Sequence, residues 1–312
     1  MRGIMVCEGL RAALARAVGE EGLRLGEPMA AHTTFAVGGP AECAVFPRTE
    51  GQVRAVWEAC RSFGVSLRAM GLGSDLLVSD AGLRGVVMIL AGGFSGVSVE
   101  GRTVKAQAGA SNAQVAEAAQ RAGLAGYEFA SGIPGTVGGA AIMNAGAYGG
   151  EFGQVARSVR CLTPEGRAVE VTAKEAAWSY RHSMMDDRGY LVLSAQLVLE
   201  PDDPEAVRAR MEDLARRRAE KQPLELPSAG STFKRPEGCF AGKLIEEAGL
   251  RGFRVGGAQV SEKHCGFVVN AGGATAKDVR RLIDEVQERV LASAGVLLEP
   301  EVRMWGFEDE GE

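Results

Sequence analysis

Glycine gathers in two short runs, and these constrain the chain more than any other feature. They are Gly71-Leu72-Gly73-Ser74-Asp75-Leu76 and Ser131-Gly132-Ile133-Pro134-Gly135-Thr136-Val137-Gly138-Gly139-Ala140. The 312 residues include 43 glycines, close to twice the usual share of about 7%. They follow no period, which excludes collagen and solenoid repeats. Backbone without a Cβ brings N–H groups close to an oxyanion, so such runs suit the diphosphate of a dinucleotide. A Rossmann loop needs a third glycine opening a helix. Here Leu76 takes that place and Leu76-Leu77-Val78 reads as a strand. On its residues alone the first run is equally a tight turn between strands. The second is stiffened by Pro134 and continues into Met143-Asn144-Ala145-Gly146-Ala147-Tyr148-Gly149. Its alternative is a glycine-rich crossover packed on a sheet.

The surrounding pattern is mixed α and β. Residues 8–18 form a helical stripe of Leu10, Leu14 and Val18. Thr49 with Gln52, and Ser111 with Gln114, are capping-box pairs that open helices. The first helix carries Val53, Val56, Trp57 and Cys60; the second runs to about Arg121. Val65–Met70, Val86–Leu90, Val97–Val99, Thr103–Ala106, Val169–Val171 and Leu191–Leu199 read as strands. Pro201-Asp202-Asp203-Pro204 marks a domain boundary, with Asp203 capping a helix that carries Val207, Met211 and Leu214. A long helix spans Thr275 to Ala294, with Val279, Leu282, Ile283, Val286 and Val290 inward and Gly295 as its stop. A strand is expected around Leu297–Met304.

A net charge of −5 disfavours nucleic-acid binding. The dense basic run Arg216-Arg217-Arg218 reads as a solvated helix face. Cys7, Cys43, Cys60, Cys161, Cys239 and Cys265 show neither CxxC nor zinc spacing, and read as reduced thiols of a cytoplasmic protein. Glu8 and Arg11 interrupt any signal peptide. No apolar run approaches the roughly 18–20 residues that span a bilayer.

Ordered motifs then add a resemblance. They are His32-Thr-Thr-Phe35, Gly38-Gly-Pro40, the two glycine runs, Tyr180-Arg-His-Ser183 and Ala229-Gly-Ser-Thr-Phe-Lys-Arg-Pro236. Further on come Ala241-Gly-Lys-Leu-Ile245, Gly257-Ala-Gln-Val-Ser-Glu-Lys-His264, Asn270 and Leu298-Glu-Pro-Glu-Val-Arg303. Through them the chain resembles the UDP-N-acetylenolpyruvoylglucosamine reductase (UDP-N-acetylmuramate dehydrogenase) family from about residue 32 to 303.

The resemblance implies an α+β fold. A two-part FAD-binding region of the vanillyl-alcohol-oxidase (PCMH) type would cover 1–203, divided at about 95. A C-terminal α+β substrate domain would cover 204–298, and a strand and tail, 299–312, would return to the active site. The short stretch from Arg181 to Leu191 matches the form without a tyrosine-bearing lid. FAD would be held by Gly71, Leu72, Gly73, Ser74, Asp75, Leu76, Gly132, Ile133, Pro134, Gly135, Thr136, Gly138, Gly139 and Ala140. NADPH would supply the hydride and UDP-N-acetylglucosamine enolpyruvate would accept it, in peptidoglycan precursor synthesis. Cell-wall biogenesis, cell shape and division would depend on this step. Neither a membrane nor a nucleic-acid partner is expected, and oligomeric state is left open.

Hydride addition to the enolpyruvyl methylene pushes charge onto the conjugated carboxylate. That needs a cation near the carboxylate and an acid for the adjacent carbon. By resemblance Arg181 is the cation and Ser231 the proton donor, with Lys234, Arg235 and Lys243 near in sequence to stabilise an alkoxide. Glu301 is the third catalytic residue. Glu299, two residues away and so on the same face of a strand, is its alternative. Tyr180, Arg235 and His264 match substrate positions, the last two among positive and polar groups at the UDP diphosphate. Asp75 stands where the family often has Asn, and is expected to act through a left-handed-tolerant backbone with its carboxylate turned from the phosphates. Two rivals are another FAD oxidoreductase of this fold acting on a sugar or alcohol, and a nucleotide-binding regulatory protein without catalysis.

Overall fold

The computed structural model describes residues 6–307. Its contacts divide the chain into two compact units. The first contains the segment ending at Leu25, then Cys43–Leu72 and Gly85–Arg218; the second contains Gly26–Glu42, Gly73–Arg84 and the chain from Ala219 onward. The tail from residue 308, expected to return to the active site, lies outside the described residues.

The first unit is built on a five-stranded antiparallel sheet. Its order is Ala168–Thr172, Ala156–Leu162, Leu191–Val198, Thr103–Gln107, Val97–Glu100. Leu191–Val198 is central because Leu191, Val192, Leu193, Ala195 and Leu197 are all buried. The helix Val137–Met143, directly after the second glycine run, packs on that strand. Elsewhere in this unit Leu67–Met70 runs parallel to residues 86–89, with Leu67 opposite Val86, and Glu8–Val18 packs on Glu50–Phe63. Ser111 and Gln114 close their expected capping box at 3.1 and 2.8 Å. Thr49 caps through Gln52 N–H at 3.2 Å, but the Gln52 side chain reaches back one residue further, to Arg48 N–H.

Asp203 caps Pro204–Lys221 as expected, taking the Glu205 N–H at 3.1 Å. Through Arg218 the helix nevertheless belongs to the first unit. Arg210 pairs with Glu128 and Asp202 at 2.8 and 2.6 Å, and Gln120 donates to the Pro204 carbonyl. The boundary between units therefore follows Arg218 instead of preceding Pro204. The three arginines do not share one solvated face either. Arg216 and Arg217 pair with Asp213, whereas Arg218 continues the inward stripe of Val207, Met211 and Leu214.

In the second unit Ser228–Ser231, Phe267–Asn270, Ala258–Val260 and Arg254–Val255 form an antiparallel sheet in that order. Ala276–Ala294 covers it with the five expected residues inward, all buried. Thr275 and Asp278 complete a capping box, Asp80 accepts from Ala276 and Lys277 N–H at 2.9 Å each, and Gly295 ends the helix at φ +68°. Leu76–Val78 pairs in parallel with Arg303–Trp305. The expected strand at Leu297 thus begins only at Arg303, because Pro300 has no N–H to continue a ladder. Among the described residues no helix is long and apolar enough to cross a membrane.

Candidate active site

The second glycine run is held from beneath by two buried polar side chains that the sequence reading missed. Asn112 donates its backbone N–H to the Gly135 carbonyl at 3.1 Å and its carboxamide to the Ile133 carbonyl at 3.3 Å. The Tyr127 hydroxyl donates to Asn112 Oδ1 at 3.0 Å, and burial holds its phenol well above the usual range. Nothing local marks Asn112 as more than the residue after a cap, so its signal was absent from the pattern. Of the expected phosphate donors, Ile133, Gly138 and Ala140 give their N–H groups to Ala130, Ala108 and Thr136, and Pro134 has none. The Val137 N–H goes to Ala110. The donors to consider are therefore Gly132, Gly135, Thr136 and Gly139. A Cβ at Gly139 would meet nothing within 4 Å, so its backbone is open to close approach.

The first run is not merely a turn. A Cβ on Gly71 would lie 2.2 Å from Thr136 Oγ1, so the two runs pack directly against each other within the first unit. In the second unit Gly73 is the left-handed residue, at φ +59°, and its carbonyl accepts from Thr34 N–H of the His-Thr-Thr-Phe motif at 3.1 Å. Asp75 is not left-handed, which corrects that expectation. Its backbone acts through the carbonyl, which accepts from Arg303 N–H at 3.1 Å.

Arg181 sits in a tight turn closed by two Ser179–His182 backbone bonds of 3.2 Å each, and itself takes φ +55°. A non-glycine residue there is strained by about 1–2 kcal/mol. Buried Asn144 anchors the turn, donating to the Ser179 carbonyl and to Glu151 at 3.1 and 3.0 Å and accepting from Gly153 N–H at 2.8 Å. Because Asn144 ends the helix Val137–Met143, one amide positions both that helix and the Arg181 turn. The Arg181 guanidinium lies 5.0 Å from the Tyr180 ring centroid. Ser183 Oγ is buried with no hydrogen-bond partner among the described residues.

In the second unit the Glu301 backbone is bonded to the residue that follows Ser231. Ser231 pairs with Phe267 at the end of its strand. Thr232, next in the chain, is buried and bonded on three sides: its N–H donates to Gly266, its hydroxyl accepts from Val268, and its carbonyl accepts the Glu301 N–H at 2.8 Å. Glu299 and Glu301 do not lie on a regular strand. A single bridge, Phe233 to Pro300, separates them, and Glu299 is paired with Lys234. Lys243 is likewise paired with Glu247 at 3.6 Å, so both lysines are weaker sources of positive charge for Ser231 than their sequence proximity suggested. The Arg235 guanidinium stacks 4.5 Å from the Phe240 ring centroid.

His264 is a neutral donor instead of a positive group. Its Nδ1 accepts from Gly266 N–H at 3.1 Å, which places the ring proton on Nε2. Burial, with Arg251 as a smaller cause, lowers its pKa below the ordinary value. All six cysteines are free. Burial pushes the Cys60 and Cys161 thiols up to about 12, which keeps them from ionising. Among the described residues no group of three His, Cys, Asp or Glu could hold a metal.

The chain is similar to known proteins over most of its length. An FAD-binding-domain family matches residues 40–172, and the family described as UDP-N-acetylenolpyruvoylglucosamine reductase, C-terminal domain, matches 222–305. A protein of Clostridioides difficile named UDP-N-acetylenolpyruvoylglucosamine reductase is 47% identical over 94% of this chain and 96% of its own length. One of the same name from Agathobacter rectalis is 50% identical over 91% of this chain and 94% of its own. A crystal structure of the UDP-N-acetylenolpyruvylglucosamine reductase of Thermus caldophilus superposes with a TM-score of 0.78 at 36% identity, over 91% of this chain and 98% of that one.

Proposed function

Because this chain belongs to the UDP-N-acetylenolpyruvoylglucosamine reductase family, we propose that it reduces the enolpyruvyl ether of UDP-N-acetylglucosamine enolpyruvate to UDP-N-acetylmuramate. FAD, when bound, carries the hydride from NADPH to the substrate's methylene carbon. The residues fit that cofactor. The Gly71–Thr136 contact joins the two glycine runs, and the open backbone at Gly139 gives a phosphate close access. Gly132, Gly135, Thr136 and Gly139 would supply the N–H donors. Gly71, Leu72, Gly73, Ser74, Asp75 and Leu76 would shape the neighbouring wall.

Arg181 would bind the substrate carboxylate as a bidentate fork and stabilise the charge that hydride addition pushes onto it. Its strained, anchored turn supports a positioned role, since local strain persists where surrounding structure over-determines it. Ser231 would pass its hydroxyl proton to the carbon next to the carboxylate. Glu301, fixed by the Thr232 carbonyl, would supply the ionisable group beside that proton transfer. The observation that carries these assignments is the Glu301–Thr232 bond, which sets Glu301 against the strand end bearing Ser231. Tyr180, Arg235 and His264 would hold the UDP-sugar, with His264 donating from Nε2. The wider setting follows from this reaction: cytoplasmic peptidoglycan precursor synthesis, on which cell shape and division depend. An oxidase of the same fold would leave Ser231 and Glu301 without a task.

Ser231→Ala tests the reading by stopped flow. NADPH should still bleach the flavin within about twofold of the wild-type rate. Recovery of flavin absorbance on adding substrate should slow by roughly 10²–10⁴-fold, the usual worth of a positioned acid. Equal loss in both half-reactions would remove Ser231 from the chemistry.

A further inference from the structure

Arg218 is the arginine of the basic run that the fold turns inward, 9% exposed. It packs against both parts of the second glycine segment. A Cβ on Gly132 would lie 2.9 Å from Arg218 Nε, and the guanidinium lies 5.7 Å from the Tyr148 ring centroid. Tyr148 holds φ +53°, a conformation that its neighbours must impose. Gly132 thus lacks a side chain because the guanidinium occupies that space, which assigns the glycine a cause other than the phosphate itself. Arg210, Arg216 and Arg217 on the same helix each have a carboxylate partner. Among the described residues no carboxylate pairs with Arg218, and burial disfavours its charge. One tyrosine face does not replace the water that a buried guanidinium gives up.

We infer that Arg218 is a cofactor ligand, whose guanidinium fork binds the diphosphate of FAD at the Gly132 end of the cradle. The diphosphate is the anionic portion of FAD, and a planar, permanently charged fork matches its paired oxygens. The backbone donors of Gly132, Gly135, Thr136 and Gly139 supply only partial charges; Arg218 supplies a formal one. Burial sharpens the attraction, because the competing solvent has already been removed. The inference rests on the FAD reading of the glycine runs and adds one residue to it from a distant helix.

The test uses the full chain stripped of flavin and titrated with FAD and with riboflavin, which lacks the diphosphate. Arg218→Met should weaken FAD by roughly 10- to 100-fold, as for a lost charge-assisted hydrogen bond, and leave riboflavin affinity within about twofold. Arg218→Lys keeps the charge and loses the fork, so it should weaken FAD less and also spare riboflavin. Raising the salt concentration should weaken FAD binding more in the wild type than in Arg218→Met. Without flavin, Arg218→Met should melt no lower than the wild type, because it removes a desolvated charge that has no carboxylate partner. A purely structural arginine predicts the reverse: a lower melting temperature and unchanged FAD affinity. That result, or equal loss of FAD and riboflavin, would overturn the assignment. Should Arg218→Met not fold, unaltered FAD affinity in Arg218→Lys would overturn it as well. A wild type that binds no FAD would instead refute the underlying cofactor reading.

Discussion

Gly71→Ala is the sharpest perturbation that the structure offers. The added Cβ would lie 2.2 Å from Thr136 Oγ1, 2.7 Å from Cγ2 and 3.0 Å from Cβ. Rotating Thr136 about χ1 exchanges its γ atoms but leaves the Cβ contact in place. The Thr136 backbone cannot retreat easily either. It is flanked by the Gly135 carbonyl bonded to Asn112 and the Val137 N–H bonded to Ala110, and its own carbonyl caps the helix through Ala140 N–H. One strand of the clash must therefore move by about 1 Å, and overpacking of this kind costs about 1–3 kcal/mol. For a unit near 200 residues, about 2 kcal/mol corresponds to a fall of roughly 4–8 °C in melting temperature. On the proposed reading, in which Gly71 and the second run help hold FAD, the displaced loops should also bind FAD at least about tenfold more weakly. Thermal melting without flavin and FAD titration read the two effects separately. Thr136→Gly removes all three clashing atoms at its own cost, and combined with Gly71→Ala it should show a favourable coupling of about 1–2 kcal/mol. Strictly additive losses, or a Gly71→Ala protein that melts like the wild type, would refute the claim that the loops pack through this contact.

Two further outcomes follow from single residues. Arg181→Gly and Arg181→Ala both lack the guanidinium and should lose substrate-driven flavin reoxidation equally. At φ +55° the glycine variant should be the more stable by about 0.5–1 kcal/mol, the left-handed penalty less glycine's entropy; equal melting temperatures would show that the turn stores no strain. The folded-state pKa of His264 lies below its unfolded value, near 6.5. Its neutral ring therefore contributes stability above about pH 6.5 that is lost as pH falls toward the folded pKa. Denaturant melts from pH 8 to 5 should show this loss, and His264→Gln should remove it; an unchanged pH slope in that variant would contradict a neutral, buried ring.

The parts of the molecule that could be read from the sequence are those whose chemistry closes within a few residues. Ser111 with Gln114 and Asp203 before Pro204 begin their helices as expected. Gly295 ends one as expected. A cap is a side chain meeting a backbone group two or three positions away, so spacing alone decides it. The missing third glycine excluded a Rossmann loop for the same local reason, and Leu76–Val78 is indeed a strand. The ordered motifs likewise led to the family, because they are a property of the chain itself.

Pairings between distant residues needed the folded chain. Spacing placed Glu299 and Glu301 on one strand face; only the fold shows Glu299 meeting Lys234 and the Glu301 N–H meeting the Thr232 carbonyl. Asn112 and Tyr127 became supports of the glycine run only when burial joined them. The unit boundary moved from before Pro204 to after Arg218 because Arg210 finds its carboxylates in the first unit. Gly71 and Gly132 could be identified from sequence as positions needing no side chain. Only tertiary structure shows that Thr136 and Arg218 are what a side chain there would strike. Periodicity records which face of an element is apolar, whereas the cost of a Cβ or a buried charge depends on whatever surface the fold brings against it.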